Sequence, residues 1–249
     1  MDKVSLSKLA NDYRNAGKIE ESIKAFKEYI AVCEKEGDIR GEASGWHMAA
    51  IALSLGITSE KDPYFADALT YIEKAVLLYK GDRVMQAVLL RDKGILYTRA
   101  GKYVEANDFY IQSIGKFIDI GNYDQEAISH DKLGLLFLIE GQLDEAEREI
   151  RIALELLSNT AAWFYKGTAY LDLARVFCKK KSYAYVLKFA NKSLQVFLMH
   201  YADEPHPRRL AEIYMLMQIA NTELANTYLS KLDTVARGVV EQDIQALQK

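Results

Sequence analysis

Residues of the same kind recur along this chain at a spacing of about forty positions. Small residues form the first series, at Ala10, Ala50, Gly94, Gly134 and Ala174, with spacings of 40, 44, 40 and 40. An aromatic or leucine side chain follows three positions after each small residue, at Tyr13, Leu53, Tyr97, Phe137 and Phe177. A period of this length is typical of chains built by stacking copies of one small structural unit.

The segments between the turns have the composition and patterning of amphipathic helices. Only 3 prolines occur in 249 residues, so long stretches contain no helix breaker. Apolar residues recur at spacings of three and four, as at Ala146, Ile150, Ala153, Leu154 and Leu157. We therefore predict an all-α chain with helices over 3–16, 19–36, 39–55, 63–80, 82–100, 103–120, 123–140, 143–158, 160–179, 183–200, 207–220 and 222–247.

Each repeat combines a small residue, a turn and a second helix into a helical hairpin. The small residue lies inside the first helix, at a point where a neighbouring helix must approach closely. Gly17, Gly101 and Gly141 follow first helices and suit the left-handed conformation that often ends a helix. A single hairpin cannot bury its apolar face alone, so we expect consecutive hairpins to stack.

The fourth repeat shows the pattern most fully, in the order Leu133-Gly134, Phe137, Gly141, Ala146 and Ile150. This order resembles the tetratricopeptide repeat, in a form longer than the common ~34 residues. The resemblance implies a right-handed α-solenoid, a superhelix of stacked antiparallel hairpins in a single continuous domain. Five repeats would cover 3–38, 39–82, 83–122, 123–160 and 161–204, and 205–249 would form a degenerate sixth hairpin or capping helices with a turn at Asn221-Thr222.

Charge and composition exclude several classes of protein. The 32 Lys and Arg residues nearly balance the 35 Asp and Glu residues, giving a net charge of −3, whereas nucleic-acid-binding domains are usually basic. No apolar run approaches the ~18 residues of a membrane span, and the N-terminus lacks a secretory signal pattern. Cys33 and Cys178 form no paired motif, so we expect reduced thiols in a cytoplasmic protein.

Motifs that would carry catalysis or hold a cofactor are missing from the sequence. It contains no G-x-S-x-G, no G-x-G-x-x-G and no phosphate-binding loop. The 4 histidines are dispersed and form neither an HExxH motif nor a Cys/His pair, so we expect no metal site. We therefore predict a protein that is not an enzyme and uses no cofactor.

The resemblance also implies a binding groove, because the first helices of such repeats line a concave face. In this register the candidate groove residues are Asn11, Arg14, Asn15, His47, Arg91, Ile95, Arg99, Asp131, Leu135, Leu138, Arg175 and Lys179. Five of these residues are cationic and one is acidic, so the groove would be basic. The arginine fork suits carboxylates, and the middle of the groove is apolar. We predict an interaction scaffold that binds an acidic, amphipathic peptide or helical segment of a protein partner.

Alternatives to this hypothesis concern the charges, the role and the oligomeric state. Some of the arginines would instead pair with acids on neighbouring hairpins. The alternative function is that of a regulatory protein, which responds to a peptide or small ligand and acts on a signalling or transcription partner. Hairpin faces that are exposed at an end of the stack can pair with another copy of the chain, so a homo-oligomer is also possible. The carboxylate clamp of chaperone-binding family members is not reproduced, because only Asn11 matches it and Ser7, Met48, Val88 and Asp92 fall at the other positions.

Overall fold

The computed structural model describes residues 1–200 and 206–229, and within them the chain forms eleven α-helices and no strand. The helices are α1 (Lys3–Asn15), α2 (Ile19–Glu36), α3 (Ile39–Ser54), α4 (Pro63–Leu78), α5 (Arg83–Arg99), α6 (Tyr103–Ile120), α7 (Tyr123–Glu140), α8 (Leu143–Leu156), α9 (Trp163–Lys179), α10 (Tyr183–Met199) and α11 (Pro207–Leu229). None of these helices is long and apolar enough to cross a lipid bilayer. The predicted all-α class is confirmed, and the first ten helices end within three residues of their predicted limits.

The chain divides into two compact units. Unit 1 covers Met1–Gln142 and contains α1 to α7, whereas unit 2 covers Leu143–Lys249 and contains α8 to α11. In unit 1, α1 packs on α2, α3 on α4 and α5 on α6, which makes three helical hairpins. Consecutive hairpins stack because α2 also packs on α3 and α4 on α5, while the first helices α3, α5 and α7 contact one another in order. This stacking is the repeat architecture that the periodicity predicts.

The small residues of the forty-residue series lie where packing is tightest. Ala10, Ala50 and Ala174 have no exposed surface, and Gly94 is buried as well. A Cβ atom added to Gly94 would lie 2.6 Å from the ring of Tyr110 on the second helix of the same hairpin. Because Tyr110 is only 2% exposed, its ring has no room to move aside. A larger residue at this position would therefore hold α5 and α6 apart.

The turns after the first helices use the left-handed conformation that the glycines predict. Gly101 has a φ angle of +78° in the turn of the third repeat. The equivalent position of the fifth repeat is Lys181, which adopts a φ angle of 56° although it carries a side chain. The amide of the following Ser182 donates to the carbonyl of Phe177, so this repeat forms its turn without glycine.

Unit 2 contains a hairpin of α9 and α10, against which α11 packs. Phe177 on α9 stacks on Tyr185 and Phe189 of α10, with ring centroids 4.8 and 5.4 Å away. The buried Ser193 hydroxyl of α10 donates to the carbonyl of Gly167 on α9 at 2.8 Å. Aromatic packing and a buried hydrogen bond therefore hold the two helices together.

The structure corrects one predicted boundary. α11 is a single helix from Pro207 to Leu229, so the predicted turn at Asn221-Thr222 is wrong. Neither residue forces a break, because both are only moderately poor helix formers and good helix formers flank them. The Thr222 hydroxyl donates to the carbonyl of Gln218 one turn earlier, so the helix itself provides a hydrogen-bond partner for this side chain. The remainder of the predicted last helix lies outside the described residues.

We expect Gly94→Ala to destabilise unit 1 although alanine is the better helix former. The overlap with the buried Tyr110 ring should outweigh the gain in helix propensity and lower the free energy of unfolding by about 1–3 kcal/mol. Gly115→Ala is the matched control, since a Cβ there meets no atom within 4 Å. That control should raise stability by up to ~1 kcal/mol. Urea unfolding monitored by circular dichroism measures both changes, and equal stabilisation by the two variants would contradict the close-approach argument.

Candidate functional site

The candidate groove residues all lie on first helices of the repeats. Those of unit 1, here called the groove set, are Asn11, Arg14 and Asn15 on α1, His47 on α3, Arg91, Ile95 and Arg99 on α5, and Asp131, Leu135 and Leu138 on α7. Arg175 and Lys179 lie on α9 in unit 2. Because α5 contacts both α3 and α7, unit 1 brings the central members of the groove set onto neighbouring helices.

Arg14 extends from α1 toward α3. Its Nη1 lies 3.9 Å from the Sδ of Met48, and its Nη2 donates weakly to the Oδ1 of Asn15 at 3.4 Å. Burial lowers the pKa of the Arg14 guanidinium. Within residues 1–200 and 206–229 no carboxylate forms an ion pair with Arg14. The neighbouring Asn11 is engaged in its own helix, where its amide donates to the carbonyl of Ser7 at 2.8 Å.

His47 joins α3 to α5 through a carboxylate that the candidate set does not contain. Its Nε2 lies 2.5 Å from the Oδ2 of Asp92. The side chains are nearly buried, with exposures of 12% for His47 and 7% for Asp92. A buried carboxylate requires such a partner. This contact gives His47 a structural role in joining neighbouring first helices.

Arg91 joins α5 to α7. Its Nη1 donates to the Oε1 of Gln125 at 2.7 Å, and its Nε lies 3.7 Å from the Oδ1 of Asp92. Its guanidinium also lies 6.0 Å from the centre of the buried Phe117 ring. The Arg91 guanidinium therefore contacts three neighbouring side chains of the same chain.

A pocket of about 380 Å³ lies between α5, α6 and α7. The groove set contributes Ile95, Arg99 and Leu135 to it. The other lining residues are Thr98, Tyr110, Lys132, Leu136 and Ile139. Four aliphatic side chains thus form an apolar floor between two cations, Arg99 on α5 and Lys132 on α7. We call this site the α5–α7 pocket.

The two cations of the α5–α7 pocket differ in whether a carboxylate of the described chain pairs with them. Lys132 donates to the Oδ2 of Asp131 at 2.8 Å, and Asp131 is itself 6% exposed. Arg99 forms no ion pair within the described part of the chain. Arg99 is exposed, although neighbouring atoms desolvate it in part and lower the pKa of its guanidinium. Its N–H groups are therefore accessible and could donate to a carboxylate of a bound molecule.

Arg175 is an internal ion-pair partner in unit 2. Its guanidinium contacts the carboxylates of Asp172 on α9 and Glu212 on α11. Burial opposes the charged form, but the two carboxylates outweigh it and raise the pKa of Arg175. Because Asp172 has no exposed surface, it requires this cation. The alternative that arginines pair with acids on neighbouring helices therefore holds for Arg175, whereas Lys179 is exposed.

Ion pairs change where the charge of the groove set lies rather than its sum, which is +2 from three arginines and Asp131. Asp92 and Asp131 stand beside Arg91 and Lys132, and each of these pairs is largely neutral. Arg14 and Arg99 are the arginines of the set that lack a carboxylate partner among residues 1–200 and 206–229. Positive charge is therefore concentrated at two points.

Sequence reasoning misses part of the α5–α7 pocket. Tyr110 belongs to a second helix, yet its hydroxyl lies 3.1 Å from the Thr98 hydroxyl of the first helix. On α7, Lys132 and Leu136 each follow a candidate residue by one position, and Ile139 continues the four-residue spacing of Asp131 and Leu135. The signal that could have indicated them is the pairing of Asp131 with an adjacent lysine on a predicted first helix.

Unit 2 contains a second pocket, of about 600 Å³, that the sequence analysis does not identify. Its lining residues are Thr160, Ala161, Trp163, Lys166, Tyr170, Lys192, Gln195, Val196, Met199 and His200. Trp163 stacks on His200 with ring centroids 4.3 Å apart. The Lys192 ammonium lies 5.2 Å from the centre of the Tyr170 ring. We call this site the unit 2 pocket, and it combines aromatic walls with two lysines.

We expect Arg175→Met to destabilise unit 2, because the buried Asp172 carboxylate then loses its arginine partner. The free energy of unfolding should fall by about 2–4 kcal/mol. Lys179→Met on the same helix is the control, and it should change stability by less than about 0.5 kcal/mol. Guanidinium unfolding followed by circular dichroism measures both variants. Equal effects of the two substitutions would contradict the internal role of Arg175.

Comparison with known proteins supports the fold at low sequence identity. No protein-family model matches the sequence, and no curated protein matches it either. Among solved structures, a putative kinesin light chain from Podosopora anserina with TPR-like repeats is 14% identical, at a TM-score of 0.55 over 81% of this chain and 96% of that chain. BtubC from P. vanneervenii is 15% identical, at a TM-score of 0.53 over 82% of this chain and 93% of its own.

The apo form of RapI has a TM-score of 0.61 at 13% identity. The match covers 89% of this chain but 60% of RapI, so this chain corresponds to part of that protein. Identities this low show the fold alone. The helical hairpins, their forty-residue period and these matches agree, and they confirm the resemblance noted in the sequence. This chain therefore has the fold of tetratricopeptide-like repeat proteins.

Proposed function

We propose that this chain is a non-enzymatic scaffold that holds a peptide or helical segment of a protein partner against the first helices of unit 1. The observation that carries the proposal is Arg99, an exposed cation without a carboxylate partner in the described chain, beside an apolar pocket. An interaction role also agrees with the TPR-like repeat proteins that share the fold. Fold likeness alone is a weak guide to function, so the site must carry the argument.

The chemistry of the α5–α7 pocket defines the partner segment. The floor of Ile95, Leu135 and Ile139 would accept one aliphatic or aromatic side chain. Arg99 at the mouth would accept a carboxylate, because the guanidinium fork can donate to both of its oxygens. An amphipathic helix presents two such side chains one turn apart on the same face. The expected partner is therefore acidic and amphipathic.

The internal contacts of Arg91 and His47 sharpen the choice of residue to test. Charge reversal of Arg91 would break its contacts with Gln125 and Asp92, and a loss of binding could then reflect a changed fold. Arg99 makes no such ion pair within the described residues, so its replacement removes charge at smaller structural cost. Arg99 is therefore the more informative position.

We expect Arg99→Glu to weaken capture of an acidic amphipathic peptide by at least about tenfold, the equivalent of one charge-assisted hydrogen bond. The probe is a helical peptide obtained by selecting a phage-displayed peptide library on the immobilised full chain. Fluorescence anisotropy measures its dissociation constant. The selected peptides should carry an acidic residue three or four positions from a large apolar residue.

Arg83→Glu is the matched control, because Arg83 is an exposed arginine at the start of the same helix. It should leave peptide affinity within about twofold of the parent protein. Circular dichroism of both variants checks that helix content is unchanged. Unchanged affinity of Arg99→Glu, or selected peptides without acidic residues, would contradict the proposed site.

The unit 2 pocket favours a second candidate function, in which a bound small ligand regulates a signalling or transcription partner. Its aromatic walls and its two lysines suit a ligand with both apolar and anionic groups. Anilinonaphthalene sulfonate has both features and serves as the probe.

We expect Lys192→Glu to weaken binding of this dye at least about threefold, because the substitution replaces an attractive charge with a repulsive one. Lys188→Glu, at another exposed lysine of α10, is the control and should leave dye affinity unchanged. The increase in dye fluorescence on titration gives both affinities. Equal loss in the two variants would contradict a ligand site in this pocket.

A further inference from the structure

The hairpin of α9 and α10 is strongly basic, although the chain as a whole carries a net charge of −3. Residues 163–200 contain a single acidic residue, Asp172, which is buried and contacts Arg175. The same segment contains seven cationic residues, at Lys166, Arg175, Lys179, Lys180, Lys181, Lys188 and Lys192. The net charge of the chain therefore does not describe the local charge of this hairpin.

Three lysines of the hairpin keep their charge uncompensated. Within the part of the chain that the structure describes, Lys166, Lys188 and Lys192 form no ion pair. Lys166 donates to the backbone carbonyl of Ser158, which carries no net charge. Lys180, by contrast, lies 2.6 Å from an oxygen of each of two carboxylates of α8. Uncompensated cations concentrated on one hairpin attract a polyanion, and α10 contains no acidic residue that would oppose this attraction.

Aromatic rings lie beside these lysines. The Lys192 ammonium lies 5.2 Å from the centre of the Tyr170 ring, and the Lys188 ammonium lies 5.6 Å from the centre of the Tyr185 ring. Both ammonium groups also lie within contact of the buried Phe189 ring, at 5.9 and 5.6 Å from its centre. Because Tyr170 and Lys192 line the unit 2 pocket, these contacts extend the pocket along the hairpin. We call the continuous surface of Trp163, Lys166, Tyr170, Tyr185, Lys188 and Lys192 the lysine–aromatic strip.

The lysine–aromatic strip is accessible along its length. Tyr185 is 48% exposed, and Lys188 and Lys192 are exposed as well. These three residues are spaced by three and four positions, so they lie on one side of α10. From Tyr185 to Met199, which lines the unit 2 pocket, α10 rises by about 21 Å. This length accommodates about four nucleotides of an extended strand, the lower limit of single-strand site sizes.

Single-stranded nucleic acid matches this surface in both of its features. Each nucleotide carries a negatively charged phosphate, which a lysine ammonium group would contact. The bases of a single strand have free faces, which stack on aromatic side chains irrespective of sequence. A duplex has phosphates as well, but its bases are stacked on one another and cannot reach the rings. An acidic peptide offers carboxylates without a planar ring beside each of them, so it would use the lysines alone.

We propose that the lysine–aromatic strip binds single-stranded nucleic acid. Its three lysines contact phosphates, and its tyrosines stack on bases. This surface belongs to unit 2, so it goes beyond the peptide-binding proposal and does not involve the α5–α7 pocket. It shares Lys192 and the unit 2 pocket with the second candidate function, whereas Lys188 does not line that pocket.

Fluorescence anisotropy of a labelled oligouridylate of about 12 nucleotides, titrated with the full chain, tests the proposal. The logarithm of the association constant should fall against the logarithm of the salt concentration with a slope of about −2, as three phosphate contacts require. Lys188→Gln should reduce the slope to about −1.4 and weaken binding at least about threefold at low salt. Lys24→Gln, at an exposed lysine of α2, is the matched control and should change neither value.

Tyr185→Leu tests the stacking separately from the charge. Leucine keeps an apolar side chain against Phe177 of α9, so circular dichroism should show unchanged helix content. The affinity for oligouridylate should fall at least about fivefold, because one base loses the ring on which it stacks. The salt slope should stay at about −2, because no phosphate contact is removed.

The proposal would be overturned by equal effects of Lys188→Gln and Lys24→Gln, or by equal affinity for the oligouridylate and for a duplex of the same length. Displacement of the oligouridylate by polyglutamate at equal charge would overturn it too, and would identify an acidic peptide as the ligand. Lys188→Gln should leave binding of anilinonaphthalene sulfonate unchanged. Dye binding without oligouridylate binding would therefore overturn the nucleic-acid proposal and leave the second candidate function standing.

Discussion

The close approach of two helices within each hairpin is the constraint on which the rest of the structure depends. At Gly94 this approach leaves no room for a methyl group, because the buried ring of Tyr110 occupies the space. Ala10, Ala50 and Ala174 lie at the equivalent positions and have no exposed surface. With the two helices this close, each hairpin presents an apolar side that only another hairpin can cover. Stacking in unit 1 follows from this requirement.

Stacking places the first helices of unit 1 side by side, and polar contacts then join them. His47 contacts Asp92 between α3 and α5, and Arg91 donates to Gln125 between α5 and α7. Buried polar groups of this kind need hydrogen-bond partners. These contacts therefore fix the positions of neighbouring first helices relative to one another. The same side chains are then less available to a bound partner. Arg99, which lacks such a contact in the described chain, is the exception.

The helices could be predicted closely because their signals are local. Spacing of apolar residues, few prolines and recurrent turn glycines place the ends of α2, α6 and α7 at their observed residues. Prediction failed where the local signal was weak. Asn221-Thr222 resembles a turn in composition, yet α11 continues through it because no glycine or proline stops the helix. Trp163 begins α9 three residues later than predicted.

The helices that carry the candidate residues could be predicted, but the ion pairs of these residues could not. The repeat register assigned the groove residues to first helices, and the structure has them there. The partners of each charge come from other helices, and no local pattern indicates them. Arg175 pairs with Glu212 of α11, which is 37 positions away in sequence. Tyr110 enters the α5–α7 pocket from a second helix.

The sequence by itself determined the helices, their forty-residue period and the class of repeat, because these depend on residues within a few turns of one another. Tertiary structure alone decided which charges are neutralised, where pockets form and which apolar side chains stay exposed. Each of those properties depends on distances between helices that lie far apart in sequence. Arg91 and Arg99 illustrate the difference, since both are arginines of α5. Arg91 donates to Gln125 of α7, whereas Arg99 has no carboxylate partner among residues 1–200 and 206–229.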